Sequence, residues 1–139
     1  MSLTVALAGL AALIGAGLGL LALLAPAKAG EIVRLRPDWD APGGFAEFRA
    51  TYGGLLLFAH LAVLLAIVMQ AQAGMGSVIG TSFAVGAGWL GAAIGRAASL
   101  LLDDAEHRTR TGYNVFSIGF ELVLALMLLA PWLGHLGAR

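Results

Sequence analysis

Three long apolar stretches of the sequence each contain one residue that can carry charge: His60, Arg96 and Glu121. An ionised side chain in hydrocarbon is costly, so such residues usually pair, face the inside of a helical bundle, or serve a substrate or proton path. Arginine and glutamate can neutralise each other, and histidine can exchange protons near neutral pH. These three residues are the first candidates for functional chemistry.

Polar residues recur at helical spacing around these groups. Because residues three, four or seven positions apart share one face of an α-helix, each set predicts a polar stripe. The stripes are Arg49, Tyr52, Gly53, Leu56 and His60; Arg96, Ser99 and Asp103; and Tyr113, Ser117 and Glu121. With Glu47 beside the first stripe, the candidate ligand-binding pocket comprises Glu47, Arg49, Tyr52, His60, Arg96, Ser99, Asp103, Ser117 and Glu121.

Depth along the helices predicts which of these residues meet. Arg96 lies six residues before the expected end of its helix, and Glu121 lies six residues after the expected start of the next. At 1.5 Å per residue, both lie roughly 9 Å below the same surface. Consecutive antiparallel helices usually pack side by side, which predicts an Arg96–Glu121 ion pair. The pair could serve a ligand or only hold the bundle together.

His60 lies deeper, nearer the membrane midplane. We expect a hydrogen-bonded core histidine there, with a proton relay as the alternative. Trp39, Trp89 and Trp132 are interpreted as interfacial anchors or packing residues and are assigned no chemistry.

Membrane-spanning helices must position these residues. The chain is 60% hydrophobic and 12% charged, about half the charge content of a soluble domain. Four apolar stretches, at about residues 3–25, 49–70, 77–102 and 115–136, are long enough to cross a bilayer. The expected fold is all-α: one domain over residues 1–139 forming an up-down-up-down bundle of four transmembrane helices.

The chain ends and connections of this bundle follow from local signals. The first stretch could be a signal peptide, but it lacks a basic n-region and is longer than an h-region, so we expect a retained helix. The polar connector from Ala29 to Phe48 is expected not to form a continuous helix, because it contains Pro37, Pro42 and the pair Gly43-Gly44.

The basic residues indicate the orientation. Seven of the eight Lys and Arg residues lie in the first and third loops or the adjoining helix ends, and only Arg139 lies on the other side. By the positive-inside rule we expect these loops in the cytoplasm and both termini in the periplasm, for a multi-pass protein of the bacterial inner membrane.

Small residues also recur at helical spacing. Glycine and alanine at every fourth position let helix backbones approach closely in a membrane. We interpret these residues as packing positions within the bundle, and a homodimer seam is the alternative. They are Gly80, Ala84, Gly88, Ala92, Gly91 and Gly95 in the third stretch and Gly15 and Gly19 in the first.

Several classes of function are disfavoured. The absence of cysteine removes disulfides, thiolate metal sites and thiol redox chemistry. With a formal net charge of zero and no basic run, nucleic-acid binding is not expected. His107 lies near Asp103, Asp104 and Glu106, but charged loop residues are usually solvated, so we predict no metal site. No catalytic set and no cofactor is expected.

The polar residues also form a pattern that resembles a known family. The pattern is Glu47-x-Arg49-Ala50-x-Tyr52-Gly53-Gly54, then Gly95-Arg96-x-x-Ser99 with Asp103, then Glu121. It resembles small bacterial four-helix membrane proteins catalogued as domain of unknown function 4345, which are similar in general shape to DoxX-like proteins. The resemblance covers about the whole chain, and its first block is the most specific part. It implies signature positions at Glu47, Arg49, Tyr52, Gly53, Gly54, Gly95, Arg96 and Asp103, and it supplies no activity.

We therefore expect a small integral membrane protein that binds, and could transport, an amphipathic or anionic small molecule or a lipid. Arg49 and Arg96 would hold the negative group, Glu121 would orient Arg96, and Tyr52 would donate a hydrogen bond. The main alternative is an accessory subunit of a larger membrane complex or a homodimer. A membrane-embedded lipid-modifying enzyme is the third hypothesis. In each case the lipid bilayer is a partner.

Overall fold

Four apolar helices dominate the structure, a computed structural model that describes residues 2–35, 43–103 and 105–137. Each of the four is long and apolar enough to cross a membrane. The described part of the chain contains no strands. The predicted all-α four-helix membrane bundle is confirmed, because the described residues are mostly helical and four of the helices could cross a membrane.

The helices agree closely with the predicted spans. We refer to Leu3–Leu24, Gly44–Val68, Met75–Leu102 and Gly112–Leu136 as the first to fourth spans. In chain order the helices are α1 (Leu3–Leu24), α2 (Pro26–Val33), α3 (Gly44–Phe48), α4 (Leu56–Val68), α5 (Gln70–Ala73), α6 (Met75–Leu102) and α7 (Gly112–Leu136), with a π-helical segment (Arg49–Leu55) between α3 and α4 and a 3₁₀ turn (Ala105–His107) before α7.

Local chemistry sets the helix ends. The Ser2 hydroxyl accepts a hydrogen bond from the Val5 N–H at the start of α1, and the Thr111 hydroxyl accepts one from the Asn114 N–H at the start of α7. Such N-caps satisfy backbone donors that have no partner within the helix. Pro26, which has no N–H, stands at the first position of α2 and separates it from α1.

The predicted polar connector is shorter than expected. Its first residues belong to α2, and the second span begins at Gly44 rather than near residue 49. Gly43 precedes this helix with a φ of 107°, a conformation that glycine tolerates better than other residues. Glu47 therefore lies within a helix, not in a loop. Residues 36–42, which include Pro37, Trp39 and Pro42, lie outside the described part of the chain.

The π-helical segment changes which residues of the second span share a face. The prediction placed Arg49, Tyr52, Gly53 and His60 on one α-helical face. In the structure Gly53 and His60 are buried, whereas Arg49 and Tyr52 are exposed. The single-stripe prediction is wrong because i→i+5 hydrogen bonding winds the chain less tightly than an α-helix.

Glycines bring the first and second spans into close contact. A Cβ atom at Gly19 would lie 2.5 Å from the Leu57 nitrogen, and one at Gly53 would lie 2.9 Å from the Leu23 nitrogen. The His60 ring lies directly against Gly15. Packing within the bundle, as predicted for Gly15 and Gly19, is confirmed for the first span.

The small residues of the third span behave differently. A Cβ atom at Gly80, Gly88, Gly91 or Gly95 would meet no atom within 4 Å. The interpretation that these glycines pack within the bundle is therefore wrong. The third span packs inward through another face, and its buried residues are Val78, Ser82, Gly86 and Ala93.

Small and branched side chains fill the centre of the bundle. Ala11 and Ala12 of the first span, Val63 of the second, and Leu124 and Leu128 of the fourth form the main buried cluster. Because alanine keeps the first span slim, the second and fourth spans can both pack against it. This core positions the polar residues at one end of the bundle.

Gly15→Ala tests the close packing of the first span on His60. The new methyl group would overlap the imidazole ring, so we expect the free energy of unfolding to fall by about 1–3 kcal/mol. Thermal unfolding in detergent, followed by circular dichroism, measures the loss.

Gly17→Ala is the matched control, since a Cβ atom at Gly17 meets nothing within 4 Å. Equal stability of the two variants would contradict the packing that we describe.

Candidate functional site

Arg96 and Glu121 form a close ion pair between the third and fourth spans. The Arg96 Nη2 lies 2.7 Å from the Glu121 Oε1, and the Arg96 Nε donates to Oε1 at 3.0 Å and to Oε2 at 3.2 Å. The Arg96 side chain is 30% exposed and that of Glu121 only 7%. The predicted pair is confirmed, and its forked geometry fixes the orientation of the guanidinium plane.

Asn114 supports the same guanidinium from the first turn of α7. The Arg96 Nη1 donates to the Asn114 Oδ1 at 3.2 Å, and the Asn114 Nδ2 donates to the Thr109 carbonyl at 2.6 Å. Asn114 was absent from the predicted pocket. Its position seven residues before Glu121 places it on the same helical face, which is the signal that could have identified it.

The Arg96 guanidinium keeps unused binding capacity. Three of its N–H groups, one on each nitrogen, donate to Glu121 and Asn114. A guanidinium has five N–H donors, so two remain. By contrast, every buried side-chain nitrogen and oxygen in the described part of the chain has a hydrogen-bond partner. Spare capacity for a ligand therefore lies on partly exposed groups such as Arg96.

Ser99 and Asp103 close the end of the third span and do not point to a ligand. The Ser99 hydroxyl donates to the Asp103 Oδ2 at 2.5 Å. The Thr109 hydroxyl donates to the Ser99 carbonyl at 3.3 Å, and the Arg110 Nε donates to the Leu100 carbonyl at 3.0 Å. The Arg110 bond satisfies a carbonyl of the last helical turn, and both bonds attach the third loop to the helix.

Arg49 caps the end of the first span. Its Nε donates to the Leu23 carbonyl at 3.1 Å, a last-turn carbonyl at the negative end of the helix dipole. Phe48 and Tyr52 stack with ring centroids 4.8 Å apart, and Tyr52 is 39% exposed. Glu47 is exposed on α3. The π-helical segment thus presents Arg49 and Tyr52 on the outer side of the second span.

Tyr113 joins the short helix α2 to the fourth span. Its hydroxyl donates to the Ile32 carbonyl, and the Arg34 guanidinium carbon lies 3.9 Å from the centre of its ring. Side chains from α2 and from the second, third and fourth spans therefore gather at the loop end of the bundle.

His60 lies apart from this group, in the centre of the bundle, and is fully buried. The Trp89 Nε1 donates to the His60 Nε2 at 2.9 Å, so Nε2 is an acceptor and the ring proton lies on Nδ1. The Nδ1 then donates to the Leu56 carbonyl at 2.6 Å. This is the hydrogen-bonded core histidine that the sequence predicts, and Trp89 is its partner.

Ser117 is buried on the fourth span, and its hydroxyl donates to the Tyr113 carbonyl of the preceding turn at 2.9 Å. Of the predicted pocket, the structure brings Arg96 and Glu121 into direct contact. Ser99, Asp103 and Ser117 form hydrogen bonds with partners close by in the chain instead. His60 binds the Leu56 carbonyl and Trp89 of the third span.

The described residues give no support for a metal site. Within residues 2–35, 43–103 and 105–137, no three His, Asp or Glu side chains lie close enough to hold an ion. Asp104, one of the acidic residues near His107 that were considered as metal ligands, lies outside the described residues.

The fold and the site define a small multi-pass membrane protein with an arginine-centred polar site at one end of its bundle. Comparisons of this chain with protein-family models, curated proteins and solved structures find no match. The function is therefore inferred from the geometry of the site.

A double-mutant cycle tests the ion pair. Arg96→Ala leaves the nearly buried Glu121 without its partner, so we expect a loss of about 2 kcal/mol in unfolding free energy, reduced from the fully buried case because Arg96 is partly exposed. Glu121→Ala should cost less, about 1 kcal/mol, because Arg96 keeps Asn114 and can reach water.

The double variant should lose less than the sum of the single losses, measured by thermal or denaturant unfolding in detergent. Strictly additive losses would show that the two side chains are not coupled.

Proposed function

We propose that the protein binds an anionic amphiphile, either a lipid or a small molecule, at the loop end of its bundle in the bacterial inner membrane. The ligand's negative group would bind the Arg96 guanidinium, and its apolar part would lie along the spans. Transport of such a ligand would use the same site. In this placement the bundle supplies the binding surface, and the lipid bilayer is the partner that surrounds it.

The orientation of Arg96 is the observation that carries the proposal. Glu121 and Asn114 bind three of its N–H groups, one on each nitrogen, while two N–H groups and 30% of the side chain remain open. An open, oriented guanidinium at the edge of the hydrocarbon region recognises carboxylate or phosphate oxygens, often through two bonds at once.

Arg49 and Tyr52 supply the second wall of the proposed site. Arg49 uses its Nε on the first span, and its two terminal nitrogens make no hydrogen bond to a described residue. Tyr52 is exposed beside it with a hydroxyl that can donate to an anion. Both residues come from the π-helical segment, and π-helical turns are frequent at functional sites.

The proposed orientation places this site in the leaflet where anionic lipids are enriched. With the first and third loops in the cytoplasm and both termini in the periplasm, Lys28, Arg34, Arg49 and Arg110 lie at the cytoplasmic end of the bundle. Basic residues there attract the anionic headgroups of that leaflet.

The resemblance to the domain-of-unknown-function family 4345 remains a proposal that rests on its signature residues. The structure gives physical reasons for two of them. Gly53 allows the second span to touch the Leu23 backbone, and Arg96 forms the ion pair with Glu121.

Lipid-dependent thermal stabilisation tests the binding site. In nanodiscs, phosphatidylglycerol should raise the melting temperature of the protein relative to phosphatidylcholine. Arg96→Gln should lose this difference, and Arg96→Lys should weaken binding about tenfold, since lysine keeps the charge but not the fork.

Arg108→Gln is the matched control, because Arg108 is an exposed arginine of the third loop and its loss removes the same charge. Melting temperatures that respond equally to both lipids in the wild type would contradict the proposed function. The Arg96→Lys variant keeps the test valid if Arg96→Gln does not fold.

Assembly is the second candidate function, and the outward glycines of the third span favour it. Gly80, Gly88, Gly91 and Gly95 leave open space where a second transmembrane helix could approach closely, either from another copy or from a larger complex.

Replacing both Gly88 and Gly91 by isoleucine should then lower self-association, measured by energy transfer between labelled copies in liposomes. Gly119→Ile on the fourth span is the control, because a Cβ atom there also meets nothing within 4 Å. A wild-type protein that shows no energy transfer and no co-purifying subunit would contradict an assembly role.

A further inference from the structure

Two arginine side chains contact the start of the fourth span. Arg34 stacks on the Tyr113 ring, and Arg96 donates to Asn114, the next residue in the chain. The Arg96–Glu121 pair is the one salt bridge among the described residues, so the Arg34 charge is not neutralised by a described carboxylate. Two guanidinium groups at one helix end form a natural site for an anion with several oxygens.

Arg34 is held in this place at a conformational cost. Its φ of 59° is in the left-handed region, where glycine is the usual residue at a helix end. The turn is closed by the Leu35 N–H, which donates to the Gly30 carbonyl at 2.9 Å, and by the Arg34 N–H, which donates to the Glu31 carbonyl at 3.3 Å. An arginine retained at a position that suits glycine points to a use for its side chain.

Stacking leaves the polar groups of Arg34 available. A guanidinium that lies on an aromatic face keeps its N–H groups in its own plane, where they can bind another group. Tyr113 also bonds the Ile32 carbonyl, so the position of α2 and that of the stacked arginine are fixed together. The latch formed by Ile32, Arg34 and Tyr113 therefore holds a second guanidinium against Tyr113, the residue next to the Asn114 that Arg96 binds.

The number of available N–H donors selects a class of anion. Arg96 alone offers two unused N–H groups, enough for the two oxygens of a carboxylate or of a phosphodiester. A second guanidinium adds donors and charge, which a phosphomonoester, with three terminal oxygens and up to two charges, matches better than a carboxylate or a phosphodiester does.

We propose that the site binds a phosphomonoester group between Arg96 and Arg34, carried by a lipid such as phosphatidic acid or by a free phosphorylated small molecule. This inference rests on the proposed function and narrows it from anions in general to one phosphate class. Arg96 is the shared anchor for any anion, and Arg34 determines the preference for the phosphomonoester.

Native mass spectrometry and thermal shift in nanodiscs test the preference. We expect the wild-type protein to bind phosphatidic acid several-fold more tightly than phosphatidylglycerol. Arg34→Gly should lower phosphatidic acid binding to the level of phosphatidylglycerol and leave phosphatidylglycerol binding unchanged. Glycine suits the left-handed backbone, so this variant should fold.

Arg108→Gly is the matched control, because Arg108 is also an exposed arginine at this end with a positive φ, of 49°. It should keep the preference for phosphatidic acid. Equal loss in both glycine variants would overturn the proposal, since general charge would then explain the effect.

The remaining outcomes distinguish a lipid phosphate from a free phosphate. They also distinguish failure of this inference from failure of the proposed function. Stabilisation by inorganic phosphate that Arg34→Gly abolishes would assign the site to a free phosphomonoester, whereas a response to phosphatidic acid alone would assign it to a lipid. Equal binding of phosphatidic acid and phosphatidylglycerol by the wild type would overturn this inference and leave the proposed function intact. Binding of no anion would overturn both.

Discussion

A buried carboxylate in a membrane bundle is the constraint on which the loop end of this protein depends. Glu121 is almost fully enclosed, and its charge is tolerable only because the Arg96 guanidinium binds both of its oxygens. The pair fixes the third span against the fourth, and Asn114 extends it to the third loop through Thr109. This one interaction orients Arg96, orders the third loop and leaves the remaining Arg96 N–H groups exposed.

Two kinds of close contact hold the rest of the bundle around that pair. On one side, Gly15, Gly19 and Gly53 remove side-chain volume, so the first and second spans meet backbone to backbone or ring to backbone. On the other, Trp89 and His60 bridge the second and third spans with a buried hydrogen bond. Because every buried side-chain nitrogen and oxygen among the described residues already has a hydrogen-bond partner, binding chemistry is left to the partly exposed arginines at the loop end.

The sequence predicts the coarse fold well because its signals are local and strong. Apolar runs of the length of a bilayer predict four spans, and the depth argument correctly joins Arg96 to Glu121. Predictions based on helical spacing alone are less successful. The π-helical segment separates Tyr52 from His60. Gly80, Gly88, Gly91 and Gly95 of the third span face outward although their spacing resembles that of Gly15 and Gly19 in the first.

What the sequence by itself determines is the number of spans, the absence of cysteine chemistry and the presence of opposite charges at one depth. Each follows from composition and from the cost of leaving charge in hydrocarbon. Only the tertiary structure decides which groups are already satisfied. Ser99 and Ser117 bind local partners and His60 binds Trp89 of another span, whereas Arg96 keeps donors unused and Arg34 is stacked on Tyr113. Hydrogen bonds between separate helices depend on packing in three dimensions, which residue spacing along one helix does not contain.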